Sequence, residues 1–368
     1  MKLSFQKNNL LSGINTVSKA VPSKTTMSIL ECILIQALDG IIKFTANDMD
    51  LGIETVIEGV IHERGKIAVD AKLFSEIIRK LPDDNINITV DNNFNVNITC
   101  GKSKFNIQGK SGEDFVALPY IEKDKYISLS QFTLRETIKQ TIFSIAPADN
   151  NKLMTGELFE ISENILRIVG LDGHRIAIRK VELSTNYEDI KVVVPGKTLS
   201  ELTKILSGEI EDEVLIFFSS NTIVFEFNNT VVVSRLIDGE YFKIDQMLSN
   251  DYETKVVVNK KELLDCIDRA SLLIRESDKK PVIMNIEDRN IKLKLNSSIG
   301  SMDEDISINK SGSDIMIGFN PRFLIDALKV IDEEEINLYM INSKAPCFIK
   351  DDNEKYIYLI LPVNFNVD

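Results

Sequence analysis

The chain has 368 residues, 43% of them hydrophobic and 27% charged, and its 43 Lys+Arg against 56 Asp+Glu give a formal net charge of −13. This is ordinary for a folded soluble protein of two or three domains. No apolar run approaches the ~20 residues of a membrane helix and the start, MKLSFQKNNLL, lacks the apolar core of a signal peptide, so a cytoplasmic protein is expected. The four cysteines (Cys32, Cys100, Cys266, Cys347) form no CxxC pair and are expected as isolated thiols. The 2 histidines, His62 and His174, exclude His-rich zinc patterns and leave little material for His-based catalysis.

In chain order, LSFQKNNLLSGI predicts a short strand and a helix over 7–20, and the loop AVPSKTTM carries Lys24. The alternating runs ILECILIQAL and IIKFTAND predict strands, KIAVDAKLFSEIIRKL from Lys66 a strand and a helix over 71–80, and NINITVDN, FNVNITCG and KFNIQG three further strands. GEDF and the polar YIEKDKY (120–126) mark a boundary. SLSQFTLRETI opens a second unit with a helix over 130–146, followed by the motif GLDGHRIAI (170–178), read as a turn. KVVVPGKTLSELTKIL from Lys191 gives a helix over 195–206, and EVLIFFSS, TIVFEFN and TVVVSRLI give strands. After GEYF and QMLSNDYETK (246–255), VVVNKKELLDCI predicts a helix over 259–275 and IMIGFNPRFLIDALKVI one over 320–330, with IKLKLN, INLYMIN and KYIYLIL as strands.

Two families of segments repeat at a period of about 125 residues. One superposes Lys72, Lys197 and Arg322; Phe74, Leu199 and Leu324; Arg79, Lys204 and Lys329; and Leu81, Leu206 and Ile331. The other superposes Phe5, Leu129 and Val258; Leu10, Leu134 and Leu263; and Ile14, Ile138 and Ile267. The chain is therefore read as α+β, three tandem domains over 1–122, 126–248 and 252–368. Each has two helices, and its closely spaced strands form antiparallel sheets.

Net charge alone argues against a nucleic-acid partner. The distribution reverses that. On the helix over 71–80, Phe74, Ile77, Ile78 and Leu81 form one apolar stripe, while Lys72 and Arg79 stand two turns apart on the opposite side. The same two positions are basic in all three repeats. The six predicted helices together hold 15 basic and 7 acidic residues, so the rest of the chain is more acidic than the whole. Brought to one surface, such helices make a footprint for a phosphate backbone, read independently of base sequence. An enzyme is the rival class. Asp172 and His174, two apart in a turn, make a poor acid–base pair, and no glycine-rich phosphate loop or metal-ligand spacing is present. No catalytic residue, cofactor or metal is expected.

The three repeats with basic helices, the segment GLDGHRIAI and the ending LILPVNFNVD resemble the bacterial sliding clamp, the beta subunit of DNA polymerase III, over essentially the whole chain. The resemblance implies a head-to-tail homodimeric ring, with the helices lining a channel for duplex DNA and the sheets outside. The protein would be a non-catalytic processivity factor, and Lys24, Lys72, Arg79, Lys80, Lys197, Lys204, Arg322 and Lys329 would contact DNA.

It further implies a hydrophobic groove for short peptide motifs. Their sources would be the polymerase III alpha subunit, the clamp-loader delta subunit, other polymerases, and mismatch-repair or ligase proteins. One wall would be Met154, Leu171, Gly173, His174, Arg175, Ile176, Phe242 and Met247, the other Pro346, Leu359, Leu361, Pro362, Val363, Asn364 and Phe365, with His174 and Arg175 at the rim. The chain departs from the family at Leu171 (often Thr), Phe242 (Pro), Gln246 (Arg) and Asn364 (Arg), and Asn366, Val367 and Asp368 extend past the usual terminus. For the dimer, Ile78, Phe105 and Ile107 are expected to meet Leu272 and Leu273, with Lys102 and Lys104 facing Asp303 and Glu304.

Overall fold

The computed structural model describes residues 1–119, 123, 125–275 and 280–365. The segment 120–122, where the first domain is expected to end, and the tail 366–368 lie outside the described residues. The chain forms two compact units, Met1–Arg135 with Lys197–Leu236 and Glu136–Gly196 with Ile237–Asp368.

Among the described residues, six α-helices each follow a strand, at once or, for α6, after Asn320: α1 (Lys7–Val17), α2 (Ala71–Lys80), α3 (Gln131–Lys139), α4 (Gly196–Leu202), α5 (Lys260–Ser271) and α6 (Pro321–Lys329). The starts are sequence-encoded. Asp70, Asn259 and Asn320 cap α2, α5 and α6 by accepting the N–H of Leu73 (2.7 Å), Glu262 (3.0 Å) and Arg322 (3.1 Å), and Pro321 occupies the first turn of α6. Four ends fall short of expectation: α1 stops at Val17, where a 3₁₀ turn takes over at Ser18–Ala20, α5 stops at Ser271, and α3 and α4 also stop before their expected ends. In α3, the Thr141 hydroxyl donates to the carbonyls of Thr137 (2.9 Å) and Ile138 (3.2 Å), and the chain leaves the α-helix for a 3₁₀ turn at Ile142–Ser144. In α4, the chain tightens after Leu202, with Ile205 N–H donating to the Leu202 carbonyl at 3.0 Å.

Unit one holds two sheets. Five strands run in the order Val60–Glu63, Lys2–Gln6, Asn85–Val90, Asn95–Cys100 and Ser103–Gln108. Nine run Lys110–Ser111, Gly65–Asp70, Cys32–Leu38, Ile41–Asn47, Leu51–Ile57, Thr230–Arg235, Thr222–Phe227, Glu213–Phe218 and Tyr126–Ser130. Unit two holds ten strands, in the order Gly156–Leu171, Arg175–Pro195, Tyr356–Ile360, Cys347–Lys350, Glu335–Met340, Thr254–Asn259, Ser301–Gly312, Asn290–Asn296, Val282–Glu287 and Ile315–Phe319. Pairing among the described strands is antiparallel, as the meander reading anticipates. The long hairpin of Gly156–Leu171 with Arg175–Pro195, which contains GLDGHRIAI, is the element the sequence reading lacks.

The sheets cross repeat boundaries. Leu51–Ile57 of the first repeat pairs with Thr230–Arg235 of the second, Gly52 opposite Val233. Arg175–Arg179 of the second pairs with Tyr356–Ile360 of the third, Ile176 opposite Leu359. Helix faces pack on these sheets: Leu10, Ile14, Phe74, Ile77 and Ile78 are buried in unit one. In unit two, Leu263, Ile267, Leu324 and Leu328 share a core with Val256, Met284 and Leu293. Each such side chain contributes ~1.5–3 kcal/mol by leaving water. All four cysteines are buried and free. No helix among the described residues is long and apolar enough to cross a membrane.

Candidate functional site

The basic positions singled out by the repeats stand in water. Lys72, Arg79 and Lys80 are exposed on α2, Arg322 and Lys329 on α6, Lys197 at the start of α4, Lys204 in the turn after it, and Lys24 in its loop. They are not equally free. The Lys197 ammonium is held by Asp48, whose side chain is only 5% exposed, and Lys204 is held by Glu201 at 2.7 Å. Arg79 reaches only the Ser75 hydroxyl at 3.4 Å, and Lys72, Lys80, Arg322 and Lys329 have no ion pair among the described residues. The summed helix charge therefore overstates what a ligand can use. Lys7 and Lys260, at equivalent points of repeats one and three, donate to the Leu81 and Ile331 carbonyls, closing the ends of α2 and α6. Arg269 is engaged by Glu304.

In unit two the hairpin turn organises the second set. The Asp172 carboxylate accepts the N–H of His174 (3.0 Å) and of Arg175 (3.1 Å), and Gly173 takes a φ of 82° that favours glycine. Beyond the turn, Met154, Leu171, Ile176, Phe242 and Leu359 join one apolar cluster with Tyr241, Ile244, Tyr339 and Phe348, four residues the sequence reading omits. Tyr241 carries a signal that could have found it, since it stands between the Glu and Phe of the repeated GEDF/GEYF pattern. Leu171, Ile176 and Leu359 are buried, whereas Met247 and Leu361 are 44% and 37% exposed. The C-terminal segment is clipped down by main-chain bonds, Leu361 N–H to the His174 carbonyl (2.9 Å) and Val363 N–H to the Gly318 carbonyl (2.8 Å). The Phe365 ring lies against Gly318, while Pro362 is half-buried and Asn364 exposed. Pro346 is half-buried beside a turn that Asn342 holds through the N–H groups of Lys344 and Ala345.

Arg175 is not at the rim. It is 8% exposed, and its guanidinium donates to Asp172 (3.0 Å), Asp326 (2.7 Å) and the Phe143 carbonyl, with the Phe323 ring centroid 4.5 Å away. The fork is spent on the chain itself, so Arg175 ties the turn to α6. His174 stays exposed, stacked on Phe323 with centroids 6.0 Å apart. Glu157 is fully buried, and burial, eased only by the neighbouring Thr141 hydroxyl, pushes its carboxyl up to about 8. Burial and then the nearby Glu157 push the Tyr241 hydroxyl up as well.

Of the expected interface residues, Ile78 is a correction. It is 0% exposed, because it lies one turn after Phe74 on the stripe that α2 buries in its own core. Phe105 is 40% exposed on the edge strand Ser103–Gln108, with Ile107 half-buried and Lys102 and Lys104 exposed. Leu272 is 78% exposed and Leu273 half-buried. Asp303 lies 3.6 Å from Lys292, and Glu304 is already paired within the chain to Arg269, which holds its carboxyl below the usual range.

Family profiles match the chain end to end: the N-terminal domain of the DNA polymerase III beta subunit over 1–119, its central domain over 128–243 and its C-terminal domain over 245–364. The beta sliding clamp of Bacillus subtilis (strain 168) is 35% identical, with 99% of both chains covered, and that of Staphylococcus epidermidis (strain RP62A) is 32% identical over the same shares. Among solved structures, the DNA polymerase sliding clamp of B. subtilis superposes with a TM-score of 0.96 at 34% identity, all of both chains being covered. A chain assigned as a DNA polymerase III beta subunit from Eubacterium rectale ATCC 33656 superposes with a TM-score of 0.96 at 67% identity, covering 99% of this chain and 100% of that one. Three repeats, six strand-led helices, cross-repeat sheets and full-length likeness converge, and the chain belongs to the bacterial sliding clamps, the beta subunits of DNA polymerase III.

Proposed function

We propose that this chain is the processivity clamp of a replicative polymerase. Two copies would close head to tail around duplex DNA, and the groove of unit two would tether partners through short hydrophobic peptides. The observation that carries the reading is a pairing rule with one member missing. In repeat one, the strand after a four-residue turn pairs with the last strand of repeat two, Thr55 opposite Thr230. In repeat two, the corresponding strand pairs with the last strand of repeat three, Arg179 opposite Tyr356. In repeat three, the corresponding strand begins at Ser301, and its 301–306 stretch pairs on one side only among the described residues. The third strand after α2, Ser103–Gln108, which stands in repeat one where Thr230–Arg235 stands in repeat two, is likewise a sheet edge.

Continuing the register would bring Lys104 opposite Asp303 and Phe105 opposite Met302 of a second copy. That contact satisfies two edges at once, and two copies exhaust the rule, leaving a closed assembly. The exposed basic side chains would then offer weak, exchangeable phosphate contacts, while closure rather than affinity retains the DNA. The role is topological and needs no catalytic group. The domains would follow the boundaries 1–122, 126–248 and 252–368. Clients would be the polymerase alpha subunit, the clamp-loader delta subunit, other polymerases, and mismatch-repair or ligase proteins, recognised by apolar anchors over Leu171, Ile176 and Leu359.

The test is retention on DNA. Protein loaded by a clamp loader with ATP onto nicked circular DNA stays bound through a moderate-salt wash and is lost once the circle is cut. Equal escape from circular and linear DNA would refute closure, and a solution mass of 41.5 kDa at micromolar concentration would refute the dimer.

A further inference from the structure

Unit one contains a cleft that repeats the geometry of the groove in unit two. Asp48 accepts the N–H of Asp50 (3.0 Å) and Leu51 (2.7 Å), as Asp172 accepts those of His174 and Arg175. The next residue has a left-handed φ in both turns, 80° at Met49 and 82° at Gly173. Gly52 then faces Val233 across the repeat boundary as Ile176 faces Leu359. The following main-chain bond matches too, since Arg235 N–H donates to the Asp50 carbonyl at 2.9 Å and Leu361 N–H to the His174 carbonyl at 2.9 Å. A cleft of about 630 Å³ lies at this point, lined among others by Asn47, Met49, Gly52, Leu118, Val233 and Arg235.

The two sites differ in what sits on the floor. Ile176 is replaced by Gly52, and the side chain of Leu118 fills the space that a Cβ at residue 52 would need. Leu118 also packs against the cluster of Phe217, Val224 and Val233. It belongs to the linker after GEDF. Counting equally from GEYF in the second linker gives Asp245, whose carboxylate is drawn to Arg167 at 2.9 Å. One linker therefore lays an apolar anchor into its cleft, and the other supplies an acid that turns to an arginine.

We propose that the cleft around Gly52 is a second peptide-type groove whose anchor position is already occupied by the chain's own linker, with Leu118 in the position a partner's leucine takes over Ile176. The ligand class of the opened site is an extended segment with a Leu anchor. Leu118 thus limits each chain to one accessible groove. The anchor logic rests on the groove reading above, but the contact stands on unit one alone.

The test uses the full chain carrying Met247→Glu, which silences the groove of unit two. The probe is a fluorescently labelled peptide copied from residues 114–119, Asp-Phe-Val-Ala-Leu-Pro. Adding Leu118→Ala should tighten binding by at least tenfold, and the gain should vanish for a peptide with Ala in place of its Leu. Gly52→Ala is the converse variant: its new Cβ takes the space that Leu118, or a bound leucine in its place, needs, so adding it to Leu118→Ala should abolish the gain. Binding by Leu118→Ala no tighter than by its Met247→Glu background, or a gain indifferent to the peptide's Leu, overturns the proposal, and so does a gain that survives Gly52→Ala. The groove reading is tested separately, by whether Met247→Glu alone weakens a Leu- and Phe-bearing peptide on the otherwise unaltered chain.

Discussion

Replacing Glu157 with Gln should remove a pH dependence from the stability of unit two. The carboxyl is 0% exposed, and burial outweighs the one neighbouring donor, the Thr141 hydroxyl, so its proton is held to about 8 in the folded protein against 4.5 when unfolded. Below pH 4.5 both states are protonated and the group costs the fold nothing through ionisation. As pH rises, the unfolded chain releases the proton while the folded chain keeps it. Stability then falls by ~1.4 kcal/mol per pH unit until the folded carboxyl itself ionises. Across the interval from 4.5 to about 8 this reaches roughly 5 kcal/mol. Gln keeps the volume and cannot ionise; its unpaired amide costs about 1–3 kcal/mol at every pH. Chemical unfolding of parent and Glu157→Gln at pH 5, 6.5 and 8 should show the variant gaining on the parent by several kcal/mol between the extremes. Parallel stability profiles would mean that Glu157 is ionised and solvated in the folded chain, and the burial reasoning would fail.

Arg175→Met should destabilise unit two by about 3–5 kcal/mol in thermal melts, because the Asp172 and Asp326 carboxylates lose their shared partner; a change under 1 kcal/mol would contradict the keystone role. Met247→Glu should weaken a Leu- and Phe-bearing peptide by ~2 kcal/mol or more while leaving the melting temperature unchanged, since that side chain is 44% exposed. Removing a free cation should reduce the salt dependence of DNA binding more than removing a paired one. Lys72→Ala and Arg322→Ala should each lower the slope of log affinity against log salt by ~0.9, and Lys197→Ala by less, because Asp48 already holds that ammonium; equal slopes would refute the distinction. Phe105→Asp should halve the mass seen by light scattering to 41.5 kDa, and an unchanged mass would exclude the edge strand from the interface.

Local order was legible where the signal is local. The stripe Phe74, Ile77 and Ile78 and the caps Asp70 and Asn320 lie within one or two turns of what they control, so α2 and α6 follow from spacing. The Asp172–Arg175 turn was visible, but its hairpin was not, because the polar stretches 162–164 (SEN) and 184–189 (STNYED) interrupt the alternation. The fate of Arg175 depends on Asp326, 151 residues away, and on the Phe143 carbonyl, 32 residues away, and no periodicity reports such partners. Lys197 fails in the same way, since Asp48 is 149 residues distant. The burial of Glu157 is equally hidden, as a carboxylate beside Leu158 and Phe159 reads as the polar member of an alternating strand.

Because the sheets cross the repeat boundaries, the chain is threefold by sequence and twofold by packing. The middle repeat gives α4 and its last three strands, but for Gly196, to the unit that holds Met1–Arg135, and its hairpin to the unit that holds the C-terminal repeat. Cutting at a repeat boundary would strip Thr230–Arg235 of Leu51–Ile57, or Arg175–Arg179 of Tyr356–Ile360, and leave sticky edges along the wound. Calorimetry should accordingly resolve two melting events rather than three. A fragment carrying only the middle repeat should aggregate as it is made, so a gene cut for separate expression has its seams inside that repeat and not at its borders.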